Sequence, residues 1–203
     1  MARSRPGRRP AATPSSVEPS SQPPSLASAT LPRVWQGVGY RPLPGAGTAR
    51  PLFDFAAVAW PDPDTLEVAW GAFARDAGAA GERLIGALVG ERAASAMMFH
   101  GPIVVAPGAS AARGDAPGAH DALEVAAQLV AAALDHATAL GVETVYTRPQ
   151  GLDRVWVRFG FIPVPEGALP ERLTGRPGVG LYAWRGGTAL WTFREGRADA
   201  AAR

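Results

Sequence analysis

The sequence predicts one α/β domain behind an unstructured leading segment, and three observations carry that expectation. Short apolar runs bounded by Gly and Pro alternate with segments of helical period, the mark of mixed strands and helices. One segment, from Asp121 to Leu140, carries a continuous three- and four-residue apolar stripe with signals at both ends. With 203 residues, 47 % of them apolar, the chain has length and hydrophobic content for a buried core.

Residues 1–30 (MARSRPGRRPAATPSSVEPSSQPPSLASAT) hold too few hydrophobic side chains to offset the entropy of ordering, so they are expected to form a disordered tail. The folded domain is expected over 31–195, with 196–203 frayed. No apolar h-region marks a secretory signal; the Arg- and Ser-rich, acid-poor start also fits an organelle transit peptide, although Pro6 and Pro10 break the amphipathic helix that one requires, so a plain tail stands beside a targeting or polyanion-binding segment.

The leading part of the domain, 31–63, is rich in Pro and Gly and contains one apolar run, Leu52–Trp60, which reads as a strand. After Pro61-Asp62-Pro63, Asp64 is placed to cap a helix reaching Ala77, because Leu66, Ala69, Phe73 and Ala77 recur at helical spacing. Arg83–Val89 reads as a strand, Gly90-Glu91-Arg92 as a turn, and Ala93–Val105 as a second, long strand. Pro107–Ala119 is a loop of small residues.

Asp121 then caps the clearest helix, whose stripe runs through Leu123, Ala126, Val130, Ala133, Ala137 and Leu140. Its alanines permit close approach to a sheet, and Gly141 follows as the stop. A strand over Val142–Thr147, a short helix over Leu152–Phe159 and a strand over Phe161–Val164 come next. Leu181–Trp184 and Thr188–Phe193 flank Arg185-Gly186-Gly187 as a hairpin.

Composition removes several function classes. All 20 basic side chains are arginines, and there is no cysteine, which excludes disulfides, thiolate metal sites and thiol nucleophiles. His100, His120 and His136 lie far apart without metal-ligand spacing. No apolar run approaches the roughly 20 residues of a membrane-spanning helix, so no membrane partner is expected. The net charge of +2 conceals a split. Residues 1–50 carry seven arginines and one acid, Glu18, while residues 51–203 carry thirteen arginines and seventeen acids. The domain itself is therefore mildly acidic, and its tail lacks interleaved aromatics for base stacking, which argues against nucleic acid as a partner.

The order strand, loop, alanine-rich helix, strand, short helix, Gly-Phe, strand resembles the GNAT superfamily of N-acetyltransferases. The resemblance rests on Val142–Val164 (VETVYTRPQGLDRVWVRFGFIPV), with Gly160-Phe161 closing the short helix, and on Val105-Ala106-Pro107, similar to the Val-x-Pro where the family's acyl-CoA strand bulges. It covers roughly 82–165 and implies a mixed, mostly antiparallel sheet whose central parallel strands splay apart between flanking helices. It further implies an acyl-CoA-dependent N-acyltransferase in the cytoplasm, with acetyl-CoA as co-substrate and a small-molecule or peptide amine as acceptor; a homodimer is compatible with it.

On that resemblance, backbone groups of Val104 and Val105 would hold the pantetheine arm. Arg113, Gly114 and Gly118 of the loop would meet the pyrophosphate, with the helix N-terminus behind them. His100, with an ordinary pKa of about 6.5, would be the base and Tyr146 the acid for the thiolate. Arg148, at the C-terminal end of its strand, would meet CoA phosphates or substrate. Each has a plainer reading: a strand-edge histidine, a core tyrosine, a surface arginine. Glu91 reads as solvated charge at a turn, and His136 as structural or solvated.

Three positions depart from the family pattern. The loop's Arg113-Gly114-Asp115-Ala116-Pro117-Gly118 has different spacing, Trp156 stands where an acidic tyrosine is usual, and Pro149 replaces an asparagine. Two readings stay open: a working acyltransferase, or a related domain without catalysis that binds or oligomerises.

Overall fold

A computed structural model of the chain describes residues 24–75, 81–105 and 121–185. Their frame is one eight-stranded sheet in the order β1-β2-β3-β4-β5-β6-β8-β7. The strands are β1 (Arg33–Trp35), β2 (Val38–Pro42), β3 (Leu66–Arg75), β4 (Glu82–Ala93), β5 (Ala96–Val104), β6 (Thr144–Thr147), β7 (Ile162–Pro163) and β8 (Tyr182–Arg185). Every neighbouring pair is antiparallel except β5 with β6. The mixed, mostly antiparallel sheet expected from the sequence is present.

The long helix is where its pattern put it. In α3 (Ala122–Ala139), Asp121 is the N-cap, accepting from the Leu123 N–H at 2.9 Å, and Leu140 is the C-cap. Ala126, Val130, Ala133 and Ala137 are fully buried against β3, β4 and β5, whereas Leu123, at the end of the stripe, is 40 % exposed. The short helix α4 (Asp153–Arg158) also forms, and Phe161 behind it packs edge-on to Trp156 at 4.8 Å.

Four expectations were wrong in type or boundary. Leu52–Trp60 is not a strand: Pro51 sits in the first turn of helix α2 (Arg50–Phe55), a position where its missing N–H costs nothing. Phe53 of α2 is buried and meets Trp60 edge-on at 5.0 Å.

The helix expected from Asp64 to Ala77 is strand β3. Asp62, not Asp64, caps a single 3₁₀ turn (Pro63–Thr65) in front of it. Val68, Trp70, Ala72 and Ala74 face α3, while Ala69 and Phe73 pack on the α2 side. A strand apolar on both faces has no period-2 signature, and three- and four-residue spacings then occur by default.

The turn expected at Gly90-Glu91-Arg92 lies at Ala94-Ser95, so Gly90 and Glu91 are inside β4. Gly90 is a packing glycine, because a Cβ there would come within 2.6 Å of Met97 Sδ and 3.1 Å of Val68 Cβ. Finally, the region expected as tail reaches too far. Ser25 caps a one-turn helix, α1 (Leu26–Ala29), whose Ala29 is buried and which contacts α3. Residues 1–23, the loop Pro107–Ala119, the strand Thr188–Phe193 and the end 196–203 lie outside the described residues.

Candidate active site at the strand gap

The site is built where β5 and β6 part. They pair in parallel from Ala96↔Thr144 to Phe99↔Thr147 and no further, although β5 continues along β4 to Val104. On the β4 side, Val89 opposes His100 and Ala87 opposes Ile103, so Gly101 and Pro102 together face Leu88. Two residues against one is a β-bulge, and it bends the strand. Only glycine suits its first position: Gly101 has φ +94, and a Cβ there would lie 2.9 Å from the Ala87 carbonyl. The irregularity thus falls upstream of Val105-Ala106-Pro107, the motif expected to carry it.

Beyond the bulge, Val105 donates its N–H to the Ile85 carbonyl at 2.8 Å. Strand alternation therefore turns the backbone groups of Val104 toward the open side. Of the two residues expected to hold an extended ligand arm, Val105 has spent its N–H on β4, and alternation aims the backbone groups of Val104 away from β4.

His100 is the first β5 residue past the last β5–β6 pair, on the face away from α3, with its side chain 13 % exposed. Its Nε2 lies 3.2 Å from Glu91 Oε2. Glu91 is not solvated charge at a turn but a carboxylate 1 % exposed on β4. Arg176 donates to both its oxygens, through Nε to Oε2 at 2.9 Å and through Nη2 to Oε1. Burial works to raise the Glu91 pKa, but hydrogen bonds from Arg176 and His100 and their charge outweigh it and lower it to about 2. The same bond raises the pKa of Arg176. A carboxylate so held only accepts, so His100 Nε2 is the donor, and whenever the ring is neutral its lone pair is on Nδ1.

A cleft beside these groups is lined by Val58, His100, Gly101, Arg148, Gln150 and Arg176, with Met98, Phe99 and Pro177. Leu173, fully buried with Met98 and Tyr146, anchors the segment that carries Arg176 across the sheet. Arg148, on β6's exit, is 8 % exposed and forms a two-pronged pair with Glu166, both bonds 2.6 Å.

Tyr146 is 5 % exposed and donates its hydroxyl to the Ala168 carbonyl at 2.6 Å, away from the cleft lining. Trp156 is fully buried between Phe99 and Phe161. His136 accepts from Trp70 Nε1 at 3.2 Å, and burial lowers its pKa, so it is a structural residue. Arg113, Gly114, Gly118 and His120 lie outside the described residues. Arg176 escaped the sequence reading altogether. It lies in a loop 85 residues from Glu91, and no spacing rule connects the two.

No protein-family model matches the chain, and no curated protein matches it by sequence. Solved structures do match by shape. A GNAT-family acetyltransferase from Staphylococcus aureus superposes with a TM-score of 0.50, covering 73 % of this chain and 98 % of that one at 9 % identity. The chain has the GNAT fold. A probable GNAT-family acetyltransferase from Chromobacterium violaceum is also similar, with a TM-score of 0.44 and 17 % identity over 77 % of this chain and 91 % of that one. Within the GNAT fold the parting of β5 and β6 is the splay that the resemblance implied. At the start of α3 the carboxylate of Asp121 takes the Leu123 N–H. Among the described residues, no helix is long and apolar enough to cross a membrane.

Proposed function

We propose that the protein is an acyl-CoA-dependent N-acyltransferase, using acetyl-CoA to acetylate a small-molecule or peptide amine with His100 as general base. The observation that carries this reading is the buried Glu91 carboxylate fixing His100 at the mouth of the strand gap. Acetyl-CoA would supply the activated acyl group as a thioester, with Val104 as its backbone partner.

The chain's own residues supply the proton handling. Glu91 orients the ring and sets its tautomer; Nδ1 then takes the proton that the amine loses as its nitrogen bonds to the acyl carbon. The C–S bond breaks, and the same proton passes from His100 to the departing sulfur. Tyr146 is not needed for that step, and its proton is engaged with Ala168.

One observation favours the second reading, a GNAT-fold binding module without turnover: the acid usual on α4 is replaced by Trp156, sunk in the core.

CoA release against a panel of amines across pH 6–9, with thermal shifts by acetyl-CoA and CoA, separates the two. The enzyme reading expects release with at least one amine and a loss of about 10²–10⁴-fold in turnover for His100→Ala, while the acetyl-CoA thermal shift persists. No release from any amine, together with no thermal shift, overturns it. Release unchanged in His100→Ala overturns the base alone.

A further inference from the structure

We infer that the amine acceptor also bears a carboxylate, an amino acid or a peptide with a nearby free carboxyl, and that Arg148 receives it in place of Glu166. This rests on the N-acyltransferase reading and names the substrate class of that same cleft.

Val145 packs in the core on the α3 side, whereas Tyr146 packs in the cluster on the opposite face. Alternation along the exit of β6 then returns Arg148 to the face away from α3, the face that carries His100. Phe99 and Thr147 are the last paired residues, so His100 and Arg148 are the next residues on the two strands, and both line the cleft. The helix N-terminus where a pyrophosphate is expected belongs to α3, on the other face. Arg148 is therefore placed for the acceptor rather than for CoA phosphates.

The charges around the cleft distinguish its two arginines. Arg176 is committed to Glu91, a carboxylate 1 % exposed that would be left charged and buried without it. Arg148 is bound differently. Its own side chain is 8 % exposed, but its partner Glu166 is 65 % exposed, on a chain segment outside the sheet. A solvated carboxylate loses little by returning to water, so the exchange of Glu166 for another carboxylate is inexpensive. A fixed guanidinium fork is also the group best matched to a carboxylate in two-pronged fashion. Arg148 Nε, buried and without a hydrogen-bond partner, leaves the guanidinium one acceptor short even with Glu166 in place.

The decisive experiment compares amino acids with their primary amides, which keep the amine and lose the negative charge. CoA release is measured for the parent, Arg148→Gln and Glu166→Gln, with thermal shifts by the same acid and amide pairs. The inference expects kcat/KM at least tenfold higher for acids than for amides, and a ratio near one in Arg148→Gln. Glu166→Gln, an exposed position with little bearing on folding, should lower KM for acids because the internal competitor is gone, and leave KM for amides unchanged. A merely structural salt bridge would move both substrates together. Release that is equal for acids and amides overturns the carboxylate while leaving the acyltransferase standing. No release from any amine, together with no thermal shift by acetyl-CoA, removes the acyltransferase; whenever release is absent, the acid and amide shifts decide: stabilisation by acids but not amides, stronger in Glu166→Gln, keeps the Arg148 site, and equal shifts overturn it.

Discussion

Replacing Glu91 with Gln tests the centre of the site through its acid titration. The carboxyl is lowered from an ordinary 4.5 to about 2, a difference of roughly 2.5 pH units, worth on the order of 3 kcal/mol of folding free energy. Because the folded value is the depressed one, that stability is fully present above the unfolded value and is lost as pH falls through the folded value. Roughly 2 kcal/mol of it should therefore be gone on going from pH 7 to pH 3. Other carboxylates titrate in the same range, among them Glu124, which is also lowered. The quantity to read is thus the parent-minus-variant difference. Urea unfolding of both proteins from pH 7 to pH 3 supplies it. The two stability curves should converge toward acid as the parent loses its advantage. Curves that stay parallel over the whole range would show that Glu91 is not held ionised by Arg176 and His100, and the orienting role assigned to it would fall with them.

Three further outcomes follow from packing. Ala133→Leu forces a larger side chain between α3 and the sheet at a fully buried position and should cost about 1–3 kcal/mol, read from the denaturant midpoint. Gly90→Ala should cost a similar amount, about 1–3 kcal/mol, because its methyl group meets Met97 and Val68; a neutral result would return Gly90 to a turn. Deleting 1–23 should leave the melting temperature unchanged, whereas deleting 1–30 removes the buried Ala29 and, at about 1 kcal/mol, should lower it by roughly 2–4 °C.

Local chemistry made part of this protein readable without coordinates. Asp121, the alanine stripe and Gly141 determine α3 because caps and a 3.6-residue period act within a few turns of chain. The division between an arginine-rich leader and a mildly acidic domain is likewise a property of the sequence alone. So is the short helix ending at Gly160-Phe161, and His100 could be singled out as the histidine just upstream of Val105.

Tertiary structure decided what depends on both faces of an element. β3 lies between α3 and α2, so its apolar pattern fits helix and strand equally, and only the neighbours on each side choose. Gly90 could be either a turn residue or a packing residue until Met97 was placed against it. The candidate site was half legible for the same reason. His100 sits on β5 and Arg148 just past the end of β6, adjoining strands whose order the resemblance supplied. The charge that orients His100 comes from Glu91, which is buried only because Arg176 returns from a distant loop to neutralise it. Burial of a carboxylate is a property of everything packed around it, and no window of sequence contains both partners.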